Sequence, residues 1–492
     1  MFNHKFTFVD LFAGIGGFHK ALSSNGGKCV AFSEVSKDAI DCYCKNNLEQ
    51  ENSNLGDIKN IKKLPPHDLL TAGVPCQSWS IAGRNLGFND DRGQLWNDTI
   101  YLLNQSRPKA FIFENVKGLV DPRNSAALGY IMGLIKDAGY HANYYLINSY
   151  DYGVLQNRMR IYIVGFEKRT FADRFRLPTP EAKHLCLGQL FGISDKISNY
   201  ENSERDLFGS PIQSKKMSLS ITGGRNDYFL FNDIRNGDTT IHSWDLLATT
   251  KREKEICLLI LRNRRKRIYG CLDGNPLSIS QMQKLDCKIL QVEIDRLIAK
   301  GILSPEEYRF QVNKTLTSLS DSENEVVSLA KQGILILDEL KANRKIQLKK
   351  ISIAETINSL KNKKIIECTE IRYDFKNTKI STGLSGVNRI FLPSSLVFST
   401  LVASDANDMI ATTCMPASNS KEYRKIFIES IYKKKCFRKI SKSEACLLQG
   451  FPAEYILPDA RSRWMKLIGN SVSVPVIKAI CSSIINTGVF DN

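Results

Sequence analysis

The sequence has no run of about 18 apolar residues, the length a membrane-crossing helix needs, so nothing in it is expected to span a bilayer. Residues Met1 to Asp10 lack the basic head, apolar stretch and small-residue cleavage site of a secretory signal. Cysteine is plentiful at thirteen, but the count is odd and no two cysteines form a C-x-x-C pair. Cys42 and Cys44 are one residue apart, which suits neither zinc nor a redox pair. A disulfide scaffold and a metal framework are therefore not expected, and most thiols should be reduced. There is no low-complexity tract, no tail of like charges and no visible internal repeat. With 42% apolar residues the chain can fill a core, which excludes disorder.

What is present is length and positive charge. At 492 residues the chain exceeds one ordinary domain of about 100–200. Its 68 basic and 51 acidic residues leave a formal charge of +17. An excess of that size points to a polyanionic partner, most often nucleic acid. The charge is unevenly placed. Residues 1–174 hold 20 basic and 17 acidic side chains, and 438–492 hold 7 and 4. The middle, 175–437, carries the remaining 41 and 30, a net +11.

Apolar strands and amphipathic helices alternate over the first third. Strands are expected at 5–12, 28–33, 67–72, 110–114, 144–148 and 161–166. Helices are expected at 18–24, 38–46, 99–105 and 126–138. This order predicts an α/β domain with a mostly parallel sheet covered on both faces. Ligands of such sheets sit outside the carboxyl ends of the strands. After Pro178 the alternation stops. Residues 201–218 read as polar loop, and helices are expected at 254–262, 278–285, 288–300, 329–342 and 354–361. A short strand is expected at 364–373, an order compatible with a winged-helix arrangement.

Most of the residues with chemical potential fall just after the strands. Asp10-Leu11-Phe12-Ala13-Gly14-Ile15-Gly16-Gly17 is a strand end running into a glycine-rich turn, which lets backbone approach a ligand closely. Glu34 follows the second strand, where a carboxylate can take both hydroxyls of a ribose. Asp57 can accept from an adenine amino group. No Lys-Ser/Thr follows the glycines, which disfavours a triphosphate and favours an adenosine-bearing cofactor. Pro75-Cys76 places a thiol in a turn past the third strand. Glu114-Asn115-Val116 puts a carboxyl group at the end of the fourth. Gln156-Asn157-Arg158-Met159-Arg160 carries two arginines at a spacing of two, on one side if extended.

In this order the motifs resemble those of the DNA (cytosine-5)-methyltransferase family, of the bacterial restriction–modification type. The resemblance rests on Asp10–Phe18, Gly73–Ser80, Glu114–Val116, Gln156–Arg160, Arg438–Pro452 and Gly469–Val472, covering roughly 1–174 and 438–485. It implies a Rossmann-like sheet that binds S-adenosyl-L-methionine, with a second, irregular target-recognition domain. Expected boundaries are 1–175 completed by 461–492 for the first, and 176–460 for the second, with a DNA-binding insertion at about 250–375. Cytosine carbon 5 is a poor nucleophile, and a thiolate added at carbon 6 turns the ring into an enamine. The resemblance gives that thiolate to Cys76. It gives protonation or hydrogen bonding of ring nitrogen 3 to Glu114, and the ring carbonyl to Arg160. Arg158 is expected nearby, with Pro75 and Asn115 fixing the backbone and the exocyclic amine. It implies cofactor contacts at Asp10, Phe12, Gly14, Gly16, Glu34, Val35, Asp57, Ile58, Asn470, Ser471 and Val472. The helix from Val474 should pack on the first helix.

The glycine-punctuated stretch 77–94 suits a lid closing over DNA, with Ser80 and Arg84 as candidate DNA contacts. Thr400 and Leu401, in the element near the end of the middle region, are candidate base-edge readers. The run Arg262 to Arg267 suits phosphate contact. The expected partner is double-stranded DNA, in a bacterial cytoplasm, with the enzyme a monomer. A cognate restriction endonuclease would be a functional partner without required contact, an expectation drawn from the lack of a regulatory extension before the cofactor loop. An RNA substrate is disfavoured by a middle interval of about 260 residues, and a catalytically dead regulator by the intact Cys76, Glu114 and Arg160.

Overall fold

The computed structural model describes residues 4–49, 51–75, 94–180, 185–193, 228–231, 239–272, 274–313, 318–376, 387–415 and 420–491. Two compact units result. The first comprises Met1–Tyr228, Ile390–Ser418 and Glu429–Asn492, the second Phe229–Arg389 and Asn419–Ile428.

The first unit is organised by a six-stranded sheet of β1 (Phe6–Leu11), β2 (Gly27–Ser33), β3 (Leu69–Gly73), β4 (Ala110–Val116), β5 (His141–Asn148) and β6 (Met159–Phe166), in the order β2-β1-β3-β4-β6-β5. Neighbours run parallel from β2 to β4, and β6 runs antiparallel to both β4 and β5. Strands β1, β3 and β4 are apolar almost throughout because parallel strands are covered on both faces. Helices α1 (Gly17–Ser24), α2 (Lys37–Asn47), α3 (Leu95–Ser106) and α4 (Ser125–Asp137) connect them. Trp96, Ile100 and Leu103 of α3 and Ile131 and Ile135 of α4 join Leu70, Phe111, Phe113 and Ile163 of the sheet in one core.

The end of the chain completes this unit. Helix Val474–Ile485 lies along α1, where Asn25 Nδ2 donates to the carbonyl of Lys478 at 2.9 Å. Phe490 stacks on Phe6, ring centres 4.6 Å apart. By composition Arg461–Ile485 is long and apolar enough to cross a membrane. Here it is two helices, Arg461–Asn470 and Val474–Ile485, separated at Ser471–Ser473 and largely buried in the fold.

The second unit holds two long antiparallel strands, Leu303–Val312 and Ile366–Phe375, with a short strand Ile334–Ile336 paired to the first. One cluster of helices, Lys251–Asn263, Ile279–Leu285 and Gln291–Ala299, shares a core with Leu303, Tyr373 and Phe375. A second, Asp321–Val327, Leu337–Ala342, Arg344–Leu348 and Ile353–Asn362, shares one with Tyr308, Phe310 and Ile366. The helix expected over 329–342 begins only at Leu337. Gln332 and Gly333 take left-handed backbone (φ 50° and 75°), which no helix can continue through, and the apolar Ile334–Ile336 pairs as strand instead. The basic run 262–267 is not one surface strip either. Arg264 is buried, with its Nη2 2.6 Å from Asp374 Oδ2. The loop expected at 201–218 lies outside the described residues.

Candidate active site and its family

The glycine turn after β1 is held in an unusual backbone. Phe12, Gly14 and Gly16 all have positive φ (52°, 55° and 90°). At Gly16 a Cβ would also fall 2.5 Å from Asn47 Nδ2, so only glycine fits. The turn is braced from two sides. Glu34 accepts from the backbone N–H groups of Gly14 (2.8 Å), Val35 (2.9 Å) and Ser36 (2.8 Å). The hydroxyl of Tyr455 donates to the carbonyl of Ile15 at 2.5 Å. Asn54 then ties the second and third loops together, accepting from the N–H groups of Glu34 (3.0 Å) and Gly56 (3.1 Å).

Between these loops opens a cleft of about 240 Å³, lined by Phe12, Glu34, Val35, Asp57, Ile58 and Pro75, among others. Its chemistry suits an adenosine. A carboxylate has about four acceptor positions, so Glu34 retains capacity for a ribose hydroxyl after its three backbone bonds. Phe12, Val35 and Ile58 supply apolar surface for a purine. A larger hollow of about 360 Å³ lies in the second unit, lined by Glu306, Asp338 and Asp374 with Lys341, and holds none of the motif residues.

Asp10 was expected at this cleft and is placed elsewhere. It is wholly buried beneath the turn, taking a hydrogen bond from the Thr71 hydroxyl at 3.1 Å. Burial raises its carboxyl well above the usual range. Asn470 is exposed, while Ser471 and Val472 are buried, and their side chains come against Gly17, the start of α1.

Pro75 also marks where the cleft meets the ends of β3 and β4. Gly73 pairs with Glu114 across these strands, and Val116 pairs with Arg160 of β6. Arg160 Nε lies 3.1 Å from Glu114 Oε1, and both side chains are largely enclosed. Burial raises the Glu114 pKa, and the positive charges of Arg160 and Arg158 partly oppose the rise. Asn115 donates to the carbonyl of Val74 at 3.0 Å, fixing the chain at the step before Pro75-Cys76. Cys76, Ser80, Arg84 and the stretch to Gly93 lie outside the described residues.

Arg158 lies close enough to Glu114 for its charge to act there, and its guanidinium has a structural task as well. It is buried, and its guanidinium donates to the carbonyls of Leu401 (3.1 Å), Gly469 (3.0 Å) and Ser471 (2.7 Å). Gln156 belongs to the same knot. It accepts from the Leu401 N–H at 3.1 Å and donates to the Leu448 carbonyl and Gln449 Oε1, both at 2.8 Å. Gln449 passes the chain of bonds on to the carbonyl of Ser471 at 2.6 Å. The two candidate base readers, Thr400 and Leu401, are tied to this same segment. Leu401 is buried, and the Thr400 hydroxyl is committed to the carbonyl of Asn157 at 2.5 Å. Sequence reading named no role for Gln156 and Gln449 and missed Asn54 and Tyr455. The motif around Gln156 was a signal for the first two, whereas nothing local marks the others.

The family model for C-5 cytosine-specific DNA methylases matches residues 6–486. The chain belongs to that family. Over 483 residues it is 39% identical to the Type II methyltransferase M.HgiBI of Herpetosiphon aurantiacus, covering 97% of this chain and 96% of that one. It is 38% identical over 491 residues to M.HgiCII of the same organism, covering 99% and 98%. M.NlaIV of Neisseria lactamica is 28% identical over 516 residues, covering 98% and 99%. The enzyme is a DNA (cytosine-5-)-methyltransferase of a restriction–modification system. It takes its methyl group from S-adenosyl-L-methionine and acts on DNA in a sequence-specific way. Its α/β sheet is that of a cofactor-dependent methyltransferase.

Proposed function

We infer that the methyltransferase flips a cytosine out of duplex DNA and attacks it with Cys76, with Glu114 and Arg160 holding the ring. The observation that carries this is the enclosed Glu114–Arg160 pair at the end of β4, beside the strand that leads into Pro75-Cys76. S-adenosyl-L-methionine, bound in the cleft of Phe12, Glu34, Val35, Asp57 and Ile58, supplies an electrophilic methyl group.

The Cys76 thiolate forms a bond to ring carbon 6, and electron density moves toward nitrogen 3. A carboxyl group can donate there only while protonated, and the raised pKa of Glu114 favours that state. Arg160 steadies the Glu114 carboxyl group and meets the ring carbonyl. Asn115 holds the Val74 carbonyl and so sets the approach of Cys76. Arg158 is a positioning residue: it locks the Gly469–Ser471 turn against the strand that carries Arg160. Carbon 5, made nucleophilic by the addition of Cys76, then takes the methyl group, and removal of its proton by a base re-forms the carbon 5–carbon 6 double bond as the bond to Cys76 breaks. Flipping costs about a few kcal/mol of unstacking, and Ser80 and Arg84, within the stretch 77–94, are assigned to hold the opened duplex. The biological role is protection of host DNA from a cognate endonuclease, by a monomer in a bacterial cytoplasm that has no need to touch that endonuclease.

The test is transfer of a labelled methyl group to mixed-sequence duplex DNA, with the product mapped by bisulfite sequencing. Cys76→Ser should reduce transfer below detection while DNA binding persists. Methylation retained by that variant would sink the nucleophile assignment.

A further inference from the structure

The second unit is built twice from one pattern, a repeat that reading along the chain did not find. Each copy runs helix, short pairing segment, helix, helix, long strand. The first uses Lys251–Asn263, a bridge at Leu277, Ile279–Leu285, Gln291–Ala299 and Leu303–Val312. The second uses Asp321–Val327, Ile334–Ile336, Leu337–Ala342, Ile353–Asn362 and Ile366–Phe375. Over the third helix and long strand, a constant offset of 63 in residue number relates the copies. Ile294 and Leu297 correspond to Ile357 and Leu360, all buried in the same positions. Gly301 and Lys364 both take left-handed backbone, φ 71° and 58°, to end their helices.

The pairing register obeys the same offset. Leu303, Ser304 and Pro305 pair with Phe375, Asp374 and Tyr373, and Ile366, Glu367 and Cys368 pair with Val312, Gln311 and Phe310. The flanking hydrogen bonds match too: Lys376 N–H to the Ile302 carbonyl at 2.9 Å, and Asn313 N–H to the Ile365 carbonyl at 2.8 Å. Each first helix opens with a capping box, Thr250 with Glu253 and Ser320 with Glu323. Each of those glutamates takes a lysine from the end of its own third helix, Lys300 and Lys363, both at 2.7 Å. The short segments are exchanged: Leu277 of the first copy pairs with Tyr373 of the second, and Leu335 of the second with Phe310 of the first.

A two-fold axis that swaps two antiparallel strands stands perpendicular to their ribbon. Leu303, Tyr373 and Phe375 enter the core of the first helical cluster at one end of the ribbon, and Phe310 and Ile366 enter that of the second at the other end. Ten-residue strands span roughly 30 Å. Dimeric helix-turn-helix proteins meet half-sites about 34 Å apart, one turn of duplex. Residues 250–376 also hold 25 basic against 17 acidic side chains. In each copy exposed cations gather from the last turn of the second helix to the start of the third, Lys284 and Lys288 in the first, Arg344, Lys345 and Lys350 in the second. Several acids of these clusters are already paired, Asp286 and Glu293 with Arg252, and Glu325 with Lys349.

We propose that this internal pseudo-dimer binds duplex DNA through two equivalent phosphate-gripping patches, one per copy, about one helical turn apart on one face of the duplex. The proposal rests on the DNA-methylating function and adds the geometry by which the insertion holds its substrate. It is tested on the full chain, with wild-type methyl transfer verified on the same preparation and the same mapped duplex. Hydroxyl-radical footprinting should show two protected patches centred about 10–11 base pairs apart that belong to the insertion. Lys284→Gln/Lys288→Gln should erase one patch, and Arg344→Gln/Lys345→Gln/Lys350→Gln the other. The slope of log affinity against log salt should become shallower by about 2 and about 3 respectively, about 0.9 for each phosphate no longer neutralised. Thermal unfolding checks that each variant keeps its fold. Folded variants with unchanged slopes and footprints would overturn the proposal, as would erasure of one and the same patch by both variants. Wild-type protein that methylates no duplex would instead sink the enzymatic reading, and the footprints would still decide this one.

Discussion

In the first unit the buried polar side chains around the site each have a task of their own, while in the second the same devices recur. Arg158, Gln156 and Gln449 form one knot around the Gly469–Ser471 turn, and Glu114 meets Arg160 at one strand end. Lys300 with Glu253 and Lys363 with Glu323, by contrast, are the same ion pair built twice at the same place in the pattern. The contrast follows from the task. Attack on a cytosine ring needs unlike groups at each of its atoms, so the site that performs it cannot be symmetric. A phosphate backbone repeats itself with each turn, so a surface that grips it can be made by duplication.

The sharpest break in that comparison is at Glu114. Glu114→Gln should lower the rate constant for methyl transfer by about 10²–10⁴-fold, the range for loss of general acid–base help, with duplex affinity retained. If protonated Glu114 is the active form, the wild-type rate falls as pH rises through its elevated pKa. Arg160→Ala removes a charge that lowers that pKa, so the alkaline limb should move to higher pH even as the rate drops. A limb that stays in place in both the wild type and Arg160→Ala would separate Glu114 from the titration.

Arg158→Met tests whether the knot is structural. It leaves the carbonyls of Leu401 and Gly469 without this donor, at about 1–3 kcal/mol for each acceptor left unsatisfied, while the Ser471 carbonyl keeps its bond from Gln449. Denaturant unfolding should show the loss. A variant of full stability but slow transfer would return Arg158 to the base itself.

Asp10 gives a pH effect of defined sign. Its pKa is raised in the folded state, so the folded chain binds more protons than the unfolded one between the two values. Its contribution is therefore fully present below the unfolded pKa and is lost as pH rises through the folded one. Asp10→Asn should flatten the fall in unfolding free energy above about pH 4, the ordinary aspartate value. An unchanged pH profile would place the titration elsewhere.

The smallest effects should be the most alike. Thr250→Ala and Ser320→Ala each remove an N-cap from an equivalent helix and should each cost about 0.5–2 kcal/mol. Losses that differ severalfold would show that the two copies have diverged in packing as well as in sequence.

Much of the first unit was legible from residues 5–166. Buried parallel strands must be nearly all apolar and must stop at turns, so Phe6–Leu11, Leu69–Gly73 and Ala110–Val116 stand out between glycines and prolines. The cleft residues Glu34 and Pro75 were legible for a related reason, since ligands meet parallel sheets just beyond their strand ends, whereas Asp57 lies ahead of β3 rather than after a strand. Asn54 and Tyr455 were not, because each acts on a loop distant in sequence, Tyr455 on Ile15. The duplication stayed hidden because the copies share only a few core positions, such as Ile302 with Ile365. The extra helix Arg344–Leu348 further shifts the second copy against the first.

The sequence by itself determined the family, the chemistry and the order of strands and helices up to β6. These depend on local patterns and on motif residues that keep their spacing. Tertiary structure alone decided that Arg158 clamps a turn, that Asp10 lies beneath the cleft, and that the basic middle region is a two-fold ribbon with exchanged short segments. Each of these is a pairing between residues tens to hundreds of positions apart, and such pairings are selected by shape and burial in the finished fold rather than by any pattern along the chain.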